Sequence, residues 1–364
     1  MGKLLTVIIP AYNSQMYLER AVNSLLPYIK LIEVIIVNDG SNDDTAAIAA
    51  AYVQKYQDSV ILINKENGGH GSAINAGMKL ARGLYVKVLD SDDYFAAEPL
   101  NSLLQLIQQL SVAAELPDLI FTDYTLEILK QVYRQNHSLL TANELYPTER
   151  NNKFFYIDNK LRQVLPTNKL FTWQEVKKWS FTELLIMHTL CYRRDFLQNL
   201  HLTLPEGVFY EDNYYSLIPL QTVETMYYLP VNLYMYYIGR QGQSVNLQKI
   251  IQNYQHQVKV IKAMLADLKF GYRTGQPIIL RDLTIKHMAR MYEVCQLIYL
   301  MQPNPEHLAA LQEVKEAFNR LDPQLWHYVK KKRLVIFLNF ACKYLLSLAG
   351  LILKLLRRLR VINA

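Results

Sequence analysis

VKVLDSDDYF, residues 86–95, sets an apolar run directly before three aspartates, Asp90, Asp92 and Asp93. The apolar half reads as a buried strand, and the charge gathers at its carboxyl end, where open α/β sheets bind their ligands. Three carboxylates this close repel one another and resist ionisation in a partly buried crevice unless a divalent cation supplies the opposite charge. Hard oxygen ligands suit Mg2+ or Mn2+, and an ion held by one or two carboxylates keeps positions open for diphosphate oxygens. The alternative is that these acids cap the next helix. Pro99 argues against it, because proline favours the first helical position and sets the cap near Glu98.

Outward from this stretch, short β-branched runs at residues 4–9, 34–37, 61–63, 85–89 and 119–122 alternate with helical patterns. Tyr17, Leu18, Ala21, Val22 and Leu25 recur at three- and four-residue spacing, as one helix face packed on a sheet requires. The rhythm predicts an α/β, Rossmann-like, mostly parallel sheet with helices on both faces. Polar clusters follow the strands in turn: PAYN, NDGSNDDT, NKENGGHGS and DSDD. Loops at one sheet edge converge on one site.

No Gly-x-Gly-x-x-Gly follows the first strand, which disfavours a nicotinamide or flavin enzyme. Pro10 and Tyr12 offer flat surfaces for stacking a base, and Asp39 could accept from a base N–H; ordinary turns would use the same residue types. In NGGHGS, residues 67–72, three glycines permit close backbone approach, and the helix behind them could face an anion. A bare glycine-rich turn yields the same pattern, and His70 is assigned no role. PEGVFYEDNYYS, residues 205–216, carries Glu211 and Asp212 between aromatics, where desolvation raises a carboxyl pKa and makes a better general base. An acid pair at a helix N-terminus reads equally well.

The chain of 364 residues is 51% hydrophobic, enough for a large core and an appended region. Its net charge of +7 is uneven: residues 330–364 hold nine Lys or Arg and no acid, so the rest sums to 7 − 9, or −2. A nucleic-acid partner is therefore not expected of the body. Three scattered cysteines without CxxC or HExxH fit a reducing compartment and no zinc site, and the N-terminus lacks a secretory pattern, so cytosol is the expected location. Helical patterning from about residue 247, broken at Pro303 and Pro305, divides the chain into 1–245, 246–329 and 330–364.

In the last segment Asn339, Lys343, Ser347, Gly350, Lys354 and Arg357/Arg358 fall on one helical face and leave the apolar residues on the other. That predicts a basic amphipathic helix lying in a membrane surface, since Lys343 mid-span would cost about 2.5–3.5 kcal/mol. A spanning helix, or one buried on the body, is the alternative.

Taken in order, TVIIPAYN, VNDGSNDDT, NGGHGSAINAG, VLDSDD and YEDNYY resemble the family 2 glycosyltransferases of GT-A fold, across roughly residues 4–245. The resemblance implies a UDP-sugar donor whose uracil is held by Pro10, Tyr12 and Asp39, with Asn13, Asn67, Gly69 and Arg240 as further donor contacts. It implies Asp90 toward the ribose or sugar and, with Asp92, on Mn2+ or Mg2+. Asp212 would be the base acting on an acceptor hydroxyl, supported by Glu211, with inversion at the anomeric carbon. The acceptor would be a cell-surface glycan, free or lipid-linked, met at the inner face of the membrane. GGHG departs from the commoner GG-x-S/A pattern, and residues 236–246 lack the QxxRW of processive members, which favours transfer of a single sugar. A sugar nucleotidyltransferase would want a glycine-rich basic loop in place of PAYN, and intact Asp92 and Asp212 speak against a catalytically silent partner of another transferase.

Overall fold

The computed structural model describes residues 2–129, 148–150, 153–176, 185–239, 247–268 and 277–344. Strand β1 (Leu5–Ala11) lies between β2 (Ile32–Asp39) and β4 (Tyr85–Val88), with β3 (Val60–Lys65) outside β2, all parallel. Every residue of β1, β2 and β4 is buried, so these strands read as continuous apolar runs because both faces are covered. The pleat still sorts them. Val7 and Ile9 join α1 (Leu18–Asn23) and α4 (Ala97–Ala113) on one face, and Ile8 joins α3 (His70–Leu80) on the other. Helix α2 (Thr45–Lys55) connects β2 to β3.

Beyond β4 the sheet is mixed, in the order β3-β2-β1-β4-β10-β6-β11-β5. The short β10 (Leu190–Arg193) runs antiparallel between β4 and β6 (Leu119–Leu129), β11 (Met226–Ile238) runs parallel to β6, and β5 (Tyr94–Phe95) closes the edge antiparallel. The parallel half is the one the strand–helix alternation predicts; antiparallel partners need no crossover helix and leave no such rhythm. Beside this path, β8 (Lys153–Asp158) pairs with β6 and β7 (Thr148–Arg150), and β9 (Leu170–Phe171) with β11. Pro230 sits where the register of β11 shifts, between Tyr228 and Asn232, as a residue without an N–H must in a paired strand.

Helices α5 (Arg194–Asn199) and α6 (Asp212–Leu217) precede β11, and six more follow: α7 (Leu247–Gln252), α8 (Tyr254–Leu268), α9 (Ile278–Met301), α10 (Pro305–Leu321), α11 (Pro323–Val329) and α12 (Arg333–Tyr344). The break expected at Pro303–Pro305 is there: Asn304 caps α10 by accepting from His307 N at 2.8 Å. One apolar core runs from the α3 face of the sheet into α8–α11, with Tyr292, Phe318 and Trp326 packed edge-on or tilted at its centre. The expected boundary at 245/246 lies outside the described residues.

Residues 333–344 of the expected amphipathic tail form α12, and its polar and apolar faces are not used as the periodicity suggests. Val335, Leu338 and Ala341 are buried, the last two against Leu297 and Leu300 of α9, and Asn339 turns inward to accept from Gln296 Nε2 at 3.1 Å and Tyr292 Oη at 3.3 Å. The outward stripe runs Arg333, Ile336, Phe340, Lys343, with Ile336 and Phe340 54% and 52% exposed. A half-buried carboxamide satisfied by two partners is cheap, and this lets Asn339 face inward while Lys343 of the same expected face stays outside. Ser347, Gly350, Lys354, Arg357 and Arg358 lie outside the described residues. No helix among the described residues is long and apolar enough to cross a membrane.

Candidate active site

The strand order reverses between β1 and β4, and the loops behind these strands meet there, Ser14 Oγ lying 2.7 Å from Ser91 Oγ. Asn13, at φ 48°, ties the first loop to the second: its N–H donates to Ser41 Oγ at 3.0 Å, and its Oδ1 accepts from Asn42 N at 2.9 Å. Tyr12 is half exposed, so its ring is available as a stacking surface, whereas Pro10 is buried within β1. Asp39 is 3% exposed and its carboxylate anchors the third loop, accepting from Lys65 Nζ at 2.7 Å, Gly68 N at 3.0 Å and Gly69 N at 2.8 Å. Gly69, at φ 86°, turns that loop into α3, and Asn67 is exposed beside it. Arg240 lies outside the described residues.

The three aspartates divide their work. Asp93 is fully buried and structural: Tyr234 Oη donates to it at 2.8 Å and Tyr237 N at 2.7 Å. Burial first, then the charges of Asp92 and Asp90, raise its pKa well above the ordinary carboxyl range. Tyr234 Oη also accepts from Asp90 N at 3.1 Å, so one phenol fixes the loop to β11. No aspartate of the cluster caps α4, which starts at Ala97 behind Ala96 with no side-chain cap, two residues earlier than Pro99 suggests.

Among the described residues, Asp90, Asp93 and His188 each bring one ligand atom within 4.8 Å of the others. His188 stacks on Tyr234 with ring centroids 4.2 Å apart, and its Nδ1 is enclosed without a hydrogen-bond partner among the described residues. Burial lowers its pKa to about 4, so the imidazole is neutral, the form that ligates metal. A carboxylate, a bare imidazole nitrogen and an acidic surround fit a divalent cation such as Mn2+. Asp92, 6% exposed, lies outside this set.

Across the crevice stands the loop before α6. His70, the first residue of α3, bridges to it: Nδ1 lies 2.6 Å from Glu211 Oε1 and Nε2 2.9 Å from Asp90 Oδ1. Burial opposes the charge on His70, but Asp90 and Glu211 outweigh it and raise the pKa well above that of a free imidazole, so the bridge is an imidazolium between two carboxylates. Asp212 follows. Burial, then the negative charge of Glu211, raises its pKa to about 7, the range of an effective general base at neutral pH. Tyr210, at φ 73°, holds the backbone turn that presents the acid pair.

Gly71 lets this bridge close. A Cβ there would meet Pro205 O at 2.5 Å and Glu211 Cγ at 2.9 Å. Gly71→Ala is expected to push the 205–211 loop off α3 and to lower any turnover by at least about tenfold, with a loss of about 1–3 kcal/mol in stability. Steady-state rates and thermal melts of the variant check this, and wild-type values in both would contradict it.

Neither His70 nor His188 stands out in the sequence as functional. For His70 the signal was its place in the NGGHGS loop ahead of a helix; for His188, inside IMHTLCYRR, no local pattern marks a ligand.

A mixed sheet with nucleotide-type loops at its switch point and an acidic rim is the arrangement of the GT-A fold. Residues 6–168 match the family model described as Glycosyl transferase family 2. An uncharacterized glycosyltransferase of Mycoplasma pneumoniae is 46% identical over 99 residues, 26% of this chain and 33% of the relative. Minor teichoic acid biosynthesis protein GgaB of Bacillus subtilis is 36% identical over 107 residues, 29% of this chain and 12% of GgaB. The alignments thus span about a third of the first of these relatives and less of GgaB. The crystal structure of S. aureus TarS 1-349 superposes with TM-score 0.63 at 17% identity, over 93% of this chain and 86% of that one, and a TarS complex with UDP-GlcNAc with TM-score 0.61. The shared fold therefore extends through the helical region.

Proposed function

We propose that this protein is an inverting glycosyltransferase that moves one sugar from a UDP-sugar to a hydroxyl of a cell-surface glycan, free or lipid-linked. The observation that carries the reading is Asp212: a carboxyl whose pKa stands at about 7, next to Glu211, which His70 joins to Asp90 on the rim of the sheet. Asp212 removes the acceptor proton as its oxygen attacks the anomeric carbon, and Glu211, held by His70, fixes the orientation of the pair. Tyr12 stacks on the base above the buried Pro10, Asp39 holds the Gly68–Gly69 backbone that faces the nucleotide, and Asn13, Asn67 and Arg240 complete the donor contacts. Asp90 with His188, and Asp92 beside them, would hold Mn2+ or Mg2+, which when bound offsets the charge of the departing diphosphate. GgaB, the one relative here named for teichoic acid biosynthesis, and the UDP-GlcNAc complex of TarS support a UDP-sugar and a surface polymer as the reactants.

A screen of nucleotide sugars with Mn2+ or Mg2+ tests this. One UDP-sugar should raise the melting temperature and be slowly hydrolysed; no stabilisation and no hydrolysis with any nucleotide sugar would defeat the reading.

The protein acts at the inner face of the cell membrane, held peripherally by residues 330–364 as three chain segments, 1–245, 246–329 and 330–364, divide the tasks of transfer, support and attachment. Lys331 and Arg333 next to exposed Ile336, Phe340 and Lys343 support contact with anionic lipid. The double variant Ile336→Glu, Phe340→Glu, altered on the outward stripe alone, should lose most of its co-sedimentation with anionic vesicles and melt as wild type does. Undiminished sedimentation would count against the attachment.

A further inference from the structure

The segment around the base-bearing helix α6, residues 209–221, is gripped from the helical region at four points, two of them on α6 itself. Phe209 N donates to His256 Nδ1 at 3.1 Å, Tyr214 Oη to Asp267 Oδ2 at 2.7 Å, Gln221 Nε2 to Thr284 Oγ1 at 3.2 Å, and His287 Nε2 lies 3.1 Å from Asn213 Oδ1. The last leads to the reacting group. Asn213 Nδ2 faces two acceptors, Tyr210 O and Asp212 Oδ1, both at 3.1 Å. The amide nitrogen can only donate, so its oxygen must face His287, and the imidazole nitrogen must donate to it. His287 is 1% exposed on α9, and its Nδ1 has no partner among the described residues. Burial lowers its pKa to about 3, so it is neutral with its one proton on Nε2.

We infer that His287, from the helical region, is a positioning residue for the general base: through Asn213 it fixes the rotamer of Asp212 and the donor that Asp212 receives. The carboxylate thus keeps one hydrogen bond on Oδ1 and a fixed face toward the acceptor. Without His287 the Asn213 amide keeps its two acceptors, Tyr210 O and Asp212 Oδ1, but its Oδ1 loses the His287 donor, which loosens the amide that serves Asp212. The inference rests on the transferase reading above and gives the helical region a part in the chemistry.

The test compares His287→Leu, which removes the donor, with His287→Gln, whose Nε2 reaches the same position, in full-length protein with the UDP-sugar that the wild type turns over. His287→Leu should lower kcat about tenfold and leave the KM for that UDP-sugar within about twofold, as loss of a transition-state contact requires. His287→Gln should restore most of kcat. A merely structural histidine would not distinguish donor from non-donor at equal folded fraction, so equal kcat in the two variants, or wild-type kcat in His287→Leu, overturns the inference. Should His287→Leu fail to fold, Asn213→Ala removes the middle link and must show the same loss in kcat; wild-type kcat there overturns it as well. Wild-type protein that turns over no nucleotide sugar would instead sink the transferase reading, and the inference with it.

Discussion

Asp212→Asn is expected to lower sugar transfer by about a thousandfold and to leave UDP binding intact, since a carboxamide keeps the shape and cannot take a proton. For the wild type, kcat should rise as pH passes upward through about 7, because the base must be ionised and burial next to Glu211 holds its pKa there. The variant should lack that limb. The stability change has its own sign. A carboxyl with a raised folded pKa binds more protons folded than unfolded, so wild-type stability falls as pH rises from about 4 to about 7. Asn carries no such penalty and should stabilise the fold at pH 8 by at most about 4 kcal/mol, a gain that vanishes toward pH 4. Turnover and melting curves at both pH values check the pair. Retained transfer would remove Asp212 from the mechanism, whatever the melting curves show.

His70→Ala is the second large effect. The imidazolium is the partner that Glu211 and Asp90 share, at 2.6 and 2.9 Å. Without it two carboxylates face each other across a crevice, Glu211 at 3% exposure loses its charged partner, and the 205–211 loop is left with the Asn75–Glu206 hydrogen bond as its side-chain tie to α3. Transfer should fall about a hundredfold, and stability at neutral pH by about 1–3 kcal/mol. His70→Gln, which keeps hydrogen-bonding capacity without charge, should recover stability better than rate. If His70→Ala turned over like the wild type, the bridge would be ornamental to the chemistry.

Much of the fold was legible because each parallel strand carries its own evidence: a buried β-branched run, then polar residues, then a helix at 3.6-residue spacing. Loop placement was legible for the same reason: Asp90, Tyr12 and Gly69 lie on loops that the alternation assigns to one edge, whereas Asp212 opens α6 and was singled out as the base through the resemblance. The antiparallel β10 and the tie from Asp93 to Tyr234 were not legible. They depend on which strand fills the gap beside β4, and nothing within a few residues of Asp93 signals a tyrosine 141 positions away.

The sequence by itself determined the order of the parallel strands β1–β4 and of the helices between them, the placement of acids and glycines in the loops, and the concentration of positive charge in residues 330–364. Tertiary structure decided that His70 joins Glu211 to Asp90, that His188 rather than a third aspartate alone faces the rim, and that α12 docks through Asn339. Periodicity is a local property of the chain, and it records which residues face inward. Which inward residues meet is fixed only when separate segments compete for the same buried volume and the same hydrogen-bond partners.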